Sequence, residues 1–257
     1  MAIRKGTSLI TLATAEGIVV AADDLMYVEK EGKAIPIELR MRKVFTVESN
    51  LLIGSAGTVK NKSIEYHLEN WIADLIAEQH STSVKRPSDM AHAINAKMRT
   101  TFKPIETLVE QGRWSSHGPG DRVVSHVVAG YSEKFRQPHI FELGAEVNSE
   151  GNRLVYVSRP HHLTELVPFF CLGEDKFWRR AKDGINPERF HLCEIVPKVI
   201  EDTASALPDI PRALQESIAL AVSFIKVEAK FNKDRVGQTV NVAVIDRAAR
   251  KSYAAVL

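Results

Sequence analysis

Apolar and polar residues fall in blocks along the chain, which predict four strands, two helices, four strands, two or three helices and two final strands. The opening block has two runs, Thr7 to Thr14 and Ile18 to Asp23, joined by Glu16-Gly17. Both runs mix β-branched and small apolar residues around a two-residue connection, which predicts a β-hairpin. Neither run alternates strictly, as expected for strands covered on both faces.

The next stretch changes pattern twice. Residues Asp24 to Arg42 are polar and irregular, with Gly32 and Pro36 as breakers, and predict a loop. After it, Lys43–Val47 and Leu51–Ala56 predict a second hairpin.

Helical spacing begins after this hairpin. Gly57 is predicted to turn the chain into a helix that has Thr58 as N-cap and apolar positions from Ile64 to about Gln79. A second helix is predicted from Pro87, with Ser88 as its cap and Pro104 dividing it. Further strands are predicted at Val123–Tyr131, His139–Leu143, Arg153–Val157, Glu165–Leu172, Thr239–Ile245 and Ser252–Val256, and further helices at Lys176–Lys182, Glu194–Leu207 and Arg212–Phe231.

The order of these elements predicts the fold class. Helices separated in blocks from antiparallel strands are typical of a layered α+β protein, with two sheets face to face and helices outside each sheet. No low-complexity linker or internal repeat divides the chain. We therefore expect residues 1–257 to form one domain.

Composition narrows the function classes. Hydrophobic residues make up 44% of the chain and charged residues 26%, as in a soluble globular protein. A net charge of +2 gives no argument for binding nucleic acid or an anionic membrane, and the apolar runs are too short to span a bilayer. Cys171 and Cys193 have no CxxC neighbour, and with no signal-peptide pattern they predict a reducing cytoplasm.

Four residues carry candidate chemistry. Thr7 is a hydroxyl residue directly after Gly6, Asp23 ends the second predicted strand, Lys43 begins the third, and Gly57 follows the fourth. A hydroxyl nucleophile near the chain start, a carboxylate and a lysine are the groups that an N-terminal-nucleophile hydrolase uses.

Three segments together resemble the proteasome β-subunit family and its bacterial peptidase relatives. They are Gly6-Thr7 with Glu16–Asp23, Lys43-Val44-Phe45 with Leu52–Gly57, and Arg212–Ile245 ending in Gly237-Gln238-Thr239-Val240. The resemblance implies a four-layer αββα sandwich of the N-terminal-nucleophile hydrolase type. It also implies that Thr7 is the nucleophile once Met1–Gly6 is removed, that Asp23 and Lys43 are the buried carboxylate and the catalytic lysine, and that the backbone N–H of Gly57 serves the oxyanion.

The implied reaction is chemically consistent. A freed threonine has its α-amine beside its own hydroxyl, and because an α-amine titrates near 7.7–8.0 it can act as general base at neutral pH. A lysine held charged by Asp23 would favour alkoxide character at the Thr7 oxygen. By resemblance we expect a threonine-type peptidase that works through an acyl-enzyme, needs no cofactor, takes peptide or unfolded protein, and forms a homo-oligomeric ring to which an unfoldase or cap could bind.

The chain also departs from the family pattern. The segment Leu172-Gly173-Glu174 lacks the family's serine, Val236 replaces a second serine, and Leu25 replaces an arginine. Non-catalytic subunits of the family show similar losses. The alternatives are therefore a non-catalytic ring-forming scaffold that keeps Met1–Gly6, and an amidase that acts on a small amide by the same chemistry.

Two other motifs suggest weaker hypotheses. His161 and His162 are adjacent, and on an extended segment they point to opposite faces, so we do not expect them to share a metal ion. The Ser115-Ser116-His117 run near Asp121 suggests a serine hydrolase, but the chain has no Gly-x-Ser-x-Gly elbow.

Overall fold

The computed structural model describes residues 4–6, 8–30, 33–80, 86–114, 118–132, 137–161, 169–173 and 189–257. The strands are β1 (Arg4–Gly6), β2 (Ser8–Ala13), β3 (Gly17–Asp23), β4 (Leu25–Lys30), β5 (Lys33–Arg40), β6 (Val44–Val47), β7 (Leu51–Asn61), β8 (Tyr66–His67), β9 (Arg122–Tyr131), β10 (Pro138–Val147), β11 (Leu154–His161), β12 (Phe169–Gly173), β13 (Val240–Asp246) and β14 (Lys251–Val256). The helices are α1 (Leu68–His80), α2 (Pro87–Thr101), α3 (Lys103–Glu110), α4 (Arg189–Ala206) and α5 (Arg212–Phe231), with a 3₁₀ turn at Lys62–Ile64.

The strands form two antiparallel sheets. The larger sheet has the order β11-β10-β9-β7-β1-β4-β5, and β6 and β8 also pair with β7. The smaller sheet has the order β12-β2-β3-β13-β14. The prediction of a chain of mixed helices and antiparallel strands is confirmed.

Buried apolar side chains form three clusters. The first joins the larger sheet to α1, α2 and α3, and includes Ile53, Ile72 and Ile94. The second joins the smaller sheet to α4 and α5, and includes Val19, Val199 and Val222. The third contains strand residues from both sheets, such as Leu9, Val20, Leu52 and Val127. Each sheet thus packs against helices and also against the other sheet.

The predicted loop over Asp24–Arg42 is wrong. This stretch forms the β4–β5 hairpin at one end of the larger sheet, where Met26 pairs with Ile37 and Val28 with Ile35. Pro36 is tolerated because β5 is an edge strand, where a missing N–H leaves no neighbouring carbonyl unpaired. Charged residues around the apolar positions hid the alternation in the sequence.

The predicted helix start at Gly57-Thr58 is also wrong. Strand β7 runs on to Asn61, and α1 begins only at Leu68. Thr58 is a ladder residue opposite Lys5, so its hydroxyl does not cap a helix. The predicted Ser88 cap fails as well, because α2 already includes that residue and its N-cap position is Arg86, without a side-chain bond.

Several other predictions are confirmed. The opening hairpin pairs β2 with β3, and β6 pairs with β7. The predicted helix Arg212–Phe231 has those bounds, and Pro104 lies in the first turn of α3, just after α2 ends. The predicted helix Lys176–Lys182 and the first part of the predicted strand Glu165–Leu172 lie outside the described residues. Within the part of the chain that is described, no helix has the length and apolar character needed to cross a membrane.

Candidate functional site

Asp23 ends β3, and its carboxylate is completely buried. Oxygen Oδ1 accepts the backbone N–H of Ser8 at 2.9 Å, and Oδ2 accepts those of Leu25 at 3.0 Å and Gly237 at 3.1 Å. The Lys43 ammonium lies 3.1 Å from Oδ1. Main-chain groups from three separate parts of the sequence therefore fix this carboxylate, as a buried charge requires.

Lys43 lies just before β6, and its side chain is also fully buried. Besides the contact with Asp23, Nζ donates to the carbonyl oxygen of Leu25 at 2.7 Å. Burial lowers the pKa of Lys43 because it removes water from the charged form, while the Asp23 carboxylate opposes this effect. Burial thus favours loss of the proton from this amine more than at the surface, and the sequence-based role of Lys43 as a charge held by Asp23 stays a prediction.

The sequence did not single out Gly237, although its N–H binds Asp23. A Cβ at this position would lie 2.9 Å from Oδ1 of Asp24 and 3.0 Å from the Cβ of Leu25, so a glycine is needed for the close approach. Val236, which stands where the resemblance expected a serine, is a buried core residue. Val236 thus contributes to core packing, and Gly237 contributes the N–H that binds Asp23.

Gly57 lies within β7 and has a φ of +87°, a conformation that favours glycine. It pairs with Val124 of β9 on one side and with Gly6 of β1 on the other. A Cβ at Gly57 would meet the carbonyl oxygen of Val123 at 3.1 Å. The backbone of this glycine therefore lies opposite the residue that precedes Thr7.

Thr7 itself lies outside the described residues. Its two neighbours are described: Gly6 pairs with Gly57, and the N–H of Ser8 binds Asp23. The structure therefore brings Asp23 and Lys43 into direct contact and ties the chain on either side of position 7 to Asp23 and Gly57. The catalytic roles of Thr7, Asp23, Lys43 and Gly57 stay predictions.

Residues Arg4–Gly6 form β1, which lies between β4 and β7. Lys5 pairs with Tyr27 of β4 and with Thr58 of β7. The short segment before Thr7 is thus a full strand of the larger sheet, bonded to β7 on one side and to β4 on the other.

A second ion pair lies beside the first. Arg40 binds Oδ1 of Asp24 at 2.8 Å, and the Asp24 carbonyl accepts the N–H of Met41. Burial raises the pKa of Asp24, and Arg40 opposes the shift. The hydrogen bond between Met41 and Asp24 ties the segment just before Lys43 to the residue that follows β3. It therefore helps to hold Lys43 near Asp23.

The structure adds no support for a metal site at His161-His162 or for a serine hydrolase at Ser115-Ser116-His117. His161 lies on β11, where Nε2 is 3.2 Å from Oε2 of Glu142, while His162 and the run Ser115–His117 lie outside the described residues. Among the residues that the structure describes, no group of three histidine, cysteine or acidic side chains is arranged to hold a metal ion.

No protein-family model and no curated protein sequence matches the chain. Solved structures do match. Anbu (ancestral beta-subunit) from Yersinia bercovieri aligns with a TM-score of 0.53 and 13% identity over 96% of this chain and 86% of that chain. The fold resembles that of Anbu. An Anbu (Gly-1) mutant from Hyphomicrobium sp. strain MC1 agrees, with a TM-score of 0.52 and 14% identity over 98% of this chain and 87% of that chain.

These matches correct the family expected from the sequence. Anbu is proteasome-like but distinct, and neither a family model nor a sequence relative supports membership of the proteasome β-subunit family, so that assignment is wrong. At 13–14% identity the likeness to Anbu shows the fold alone.

Proposed function

We propose that this chain is a threonine-type hydrolase of the N-terminal-nucleophile class that cleaves peptide bonds. The observation that carries the proposal is the buried Asp23–Lys43 pair, whose carboxylate also binds the N–H of Ser8, the residue after Thr7. Burying two charges costs desolvation free energy, which here is opposed by their mutual attraction and by hydrogen bonds from the main chain. An amine and a carboxylate fixed beside a hydroxyl residue are the parts that activate a nucleophile.

We also infer the finer architecture of this class, a four-layer αββα sandwich. The three core clusters support it, because one lies between the sheets and the other two join each sheet to its own helices. The likeness to Anbu supports a related fold.

The proposed reaction has two stages. Oγ of a freed Thr7 attacks the carbonyl carbon of the scissile bond, its proton passes to the Thr7 α-amine, and the N–H of Gly57 binds the developing oxyanion. The C–N bond then breaks, the proton passes to the leaving amine, and a threonine ester remains. Water attacks the carbonyl carbon of this ester and gives a proton to the Thr7 α-amine. The C–O bond to Thr7 then breaks, Thr7 regains its hydroxyl proton, and the acyl part of the substrate leaves as a carboxylic acid. Each backbone N–H that binds an oxyanion contributes on the order of a hundred-fold or more in rate.

Release of Thr7 needs a different base, because its nitrogen is in a peptide bond before cleavage. We propose that Lys43 takes the proton of the Thr7 hydroxyl as Oγ attacks the carbonyl carbon of Gly6. The bond from that carbon to the Thr7 nitrogen breaks as the nitrogen takes up a proton, which frees the α-amine and leaves an ester. Water then cleaves the ester C–O bond, which restores the hydroxyl and releases Met1–Gly6 with a carboxylate end. The lowered pKa of Lys43 supports this role, since a buried amine is neutral more often than an exposed one. The close pairing of Gly6 with Gly57 supports attack on the bond between Gly6 and Thr7.

The proposed substrate is an extended peptide or unfolded protein that enters between β4 and β7 in place of β1. The pairing of Arg4–Gly6 with both strands supports this binding mode, because these residues already follow the path of such a peptide. We further propose a homo-oligomeric, cytoplasmic protein to which an unfoldase or cap could bind. The likeness to a protein named a beta-subunit supports only the oligomer.

The first test is the intact mass of the purified protein. We expect the loss of Met1–Gly6 in the wild type and its retention in Thr7→Ala, while Thr7→Ser keeps a hydroxyl and is processed. Periodate oxidation of the denatured protein gives a second readout, because it converts a free N-terminal threonine to an aldehyde but leaves internal threonines intact. A wild-type chain that retains Ile3–Gly6 would contradict the proposal.

One observation favours a second candidate, the non-catalytic scaffold. Strand β1 bonds to strands on both sides and completes the larger sheet, so a chain that keeps residues 4–6 is a well-paired structure. Retention of these residues, with a stable oligomer in solution and no hydrolysis of unfolded protein, would support this candidate.

A further inference from the structure

A buried serine–histidine pair lies two residues before Gly57. Ser55 on β7 is directly opposite His126 on β9, and Oγ lies 2.8 Å from Nδ1 of the histidine. Both residues are almost completely buried, with 1% and 0% exposure. The proposed reaction does not use either side chain.

The histidine is held in one orientation. Its ring stacks on Trp71 of α1 with ring centres 5.2 Å apart and planes 9° from parallel, and the Trp71 indole N–H donates to Thr101 of α2 at 2.8 Å. Nε2 of His126 is buried, and no hydrogen-bond partner for it lies among the described residues. A buried ring nitrogen without a hydrogen bond lowers the stability of the fold, and the stacking on Trp71 and the bond to Ser55 must offset that loss.

Ser55 connects this pair to the proposed site through its main chain. Its N–H donates to the carbonyl oxygen of Lys43 at 2.9 Å. Two residues further along β7 is Gly57, which faces Gly6. A shift of β7 at Ser55 would therefore move Lys43 and Gly57 together. The continuous contacts from Thr101 through Trp71, His126 and Ser55 reach Lys43 without a gap.

We propose that Ser55 and His126 are positioning residues for the hydrolase proposed above: their hydrogen bond holds β7 so that Lys43 and Gly57 keep their places relative to the bond that is cleaved. Neither side chain touches the reacting atoms. The proposal rests on the proposed function, because it assigns a role in that reaction.

The experiment compares self-cleavage rates, followed by intact mass after synthesis of the full-length chain, in the wild type, Ser55→Ala, His126→Phe, His126→Asn and the double variant Ser55→Ala/His126→Phe. Phenylalanine keeps a ring over Trp71 but loses both nitrogens, whereas asparagine loses the ring but keeps a polar atom near the place of Nδ1. A shift of reacting groups by a fraction of an ångström slows reactions by about ten- to hundred-fold. We expect that loss in Ser55→Ala and His126→Phe, with partial rescue in His126→Asn.

The double variant separates positioning from stability. Replacing both partners of a buried hydrogen bond by apolar groups is often nearly neutral for folding. We therefore expect its Tm to recover towards the wild-type value while self-cleavage stays slow. Recovery of both Tm and rate would overturn the proposal, because the pair would then serve folding alone.

Ser223→Ala is the matched control. Ser223 is a fully buried serine on α5, and its helix neighbours Val222 and Ile225 belong to the core cluster of the smaller sheet. Its hydroxyl has no hydrogen-bond partner among the described residues. We expect its rate to stay within about two-fold of the wild type, as for a change that leaves the reacting groups in place. Equal rates in Ser55→Ala and Ser223→Ala would overturn the inference alone, whereas a wild type that never processes overturns the proposed function and the inference with it.

Discussion

Asp23 on β3 and Glu142 on β10 are both buried carboxylates, and they are stabilised in different ways. Asp23 accepts three backbone N–H groups and pairs with a lysine that has no exposed side-chain surface. Glu142 on β10 pairs with Arg122 and with His161, whose side chains are 35% and 32% exposed. The first carboxylate is held by main-chain donors and a buried lysine, and the second by two partly exposed side chains.

The difference concerns how readily the surroundings of each carboxylate can rearrange. Around Glu142, water can replace either partner, so the ion pairs there contribute little and tolerate change. Around Asp23, water has no access, and the donors cannot move without moving strands. A protein retains so rigid and unfavourable an arrangement where the position of a charge matters, which agrees with the role proposed for Asp23.

The largest expected effect is on stability. Asp23→Ala leaves the buried Lys43 amine and three main-chain N–H groups without their acceptor, so we expect a loss of about 3–5 kcal/mol in the free energy of unfolding. Glu142→Ala is the comparison, and we expect a loss of about 1 kcal/mol or less because its partners regain water. Urea unfolding at pH 7 measures both, and equal losses would remove the distinction between the two carboxylates.

The next effect is on rate. Lys43→Met keeps the length of the side chain but removes the amine, and we expect self-cleavage to slow by about 10²–10⁴-fold, the usual contribution of a general base. Asp23 keeps its three N–H donors in this variant but loses its counter-charge, so the Tm of the variant is measured beside its rate, and the rates are compared well below that Tm. Lys103→Met is the control, because that lysine is 65% exposed on α3. If Lys43→Met processed as fast as the control, Lys43 would not be the base.

The smallest effect is a pH dependence of stability from His126. Burial lowers the pKa of His126 to about 3, whereas the same side chain in the unfolded state titrates near 6.5. Between these values the unfolded chain binds a proton that the folded chain does not, so stability falls as the pH falls, by up to about 1.4 kcal/mol per pH unit.

Unfolding of the wild type and His126→Phe at pH 7, 6 and 5 tests this sign. The wild type should lose more stability than the variant on acidification. His139→Phe provides the control, because His139 is exposed and its replacement should leave the wild-type slope unchanged. Identical slopes in all three proteins would contradict burial of a neutral imidazole at position 126.

The sequence predicted the side-chain contact of the candidate site, but not the main-chain groups that complete it. Asp23 and Lys43 were named as partners, and they are in contact, although their role stays a prediction. The donors that complete the site, Leu25 and Gly237, act through backbone atoms, so side-chain identity carried no signal for them. Gly237 is 214 residues from the carboxylate that it binds, and no local pattern encodes such a contact.

The predicted fold failed where strands lie at edges or carry a special glycine. The β4–β5 hairpin was missed because half of an edge strand faces water and reads as a polar loop. At Gly57 the expected helix start is the point where β7 bends and continues. Buried strands such as β3, and the long amphipathic helix α5, were predicted well because their patterns depend on burial along the whole element.

The place of β1 has a thermodynamic consequence. In the sheet order, the β4–β5 hairpin pairs with the other strands through β1. Its further contacts are made by side chains, such as Met26 in the core cluster of the larger sheet and Tyr27 under the Arg235 guanidinium. Residues 4–6 act as a tethered ligand, present at an effective concentration in the millimolar range for a short link. If the bond after Gly6 is cut, residues 4–6 compete for the gap between β4 and β7 only at their concentration in solution. The mature protein would then be stabilised by whatever peptide occupies the gap, so that its melting temperature would report occupancy by mass action.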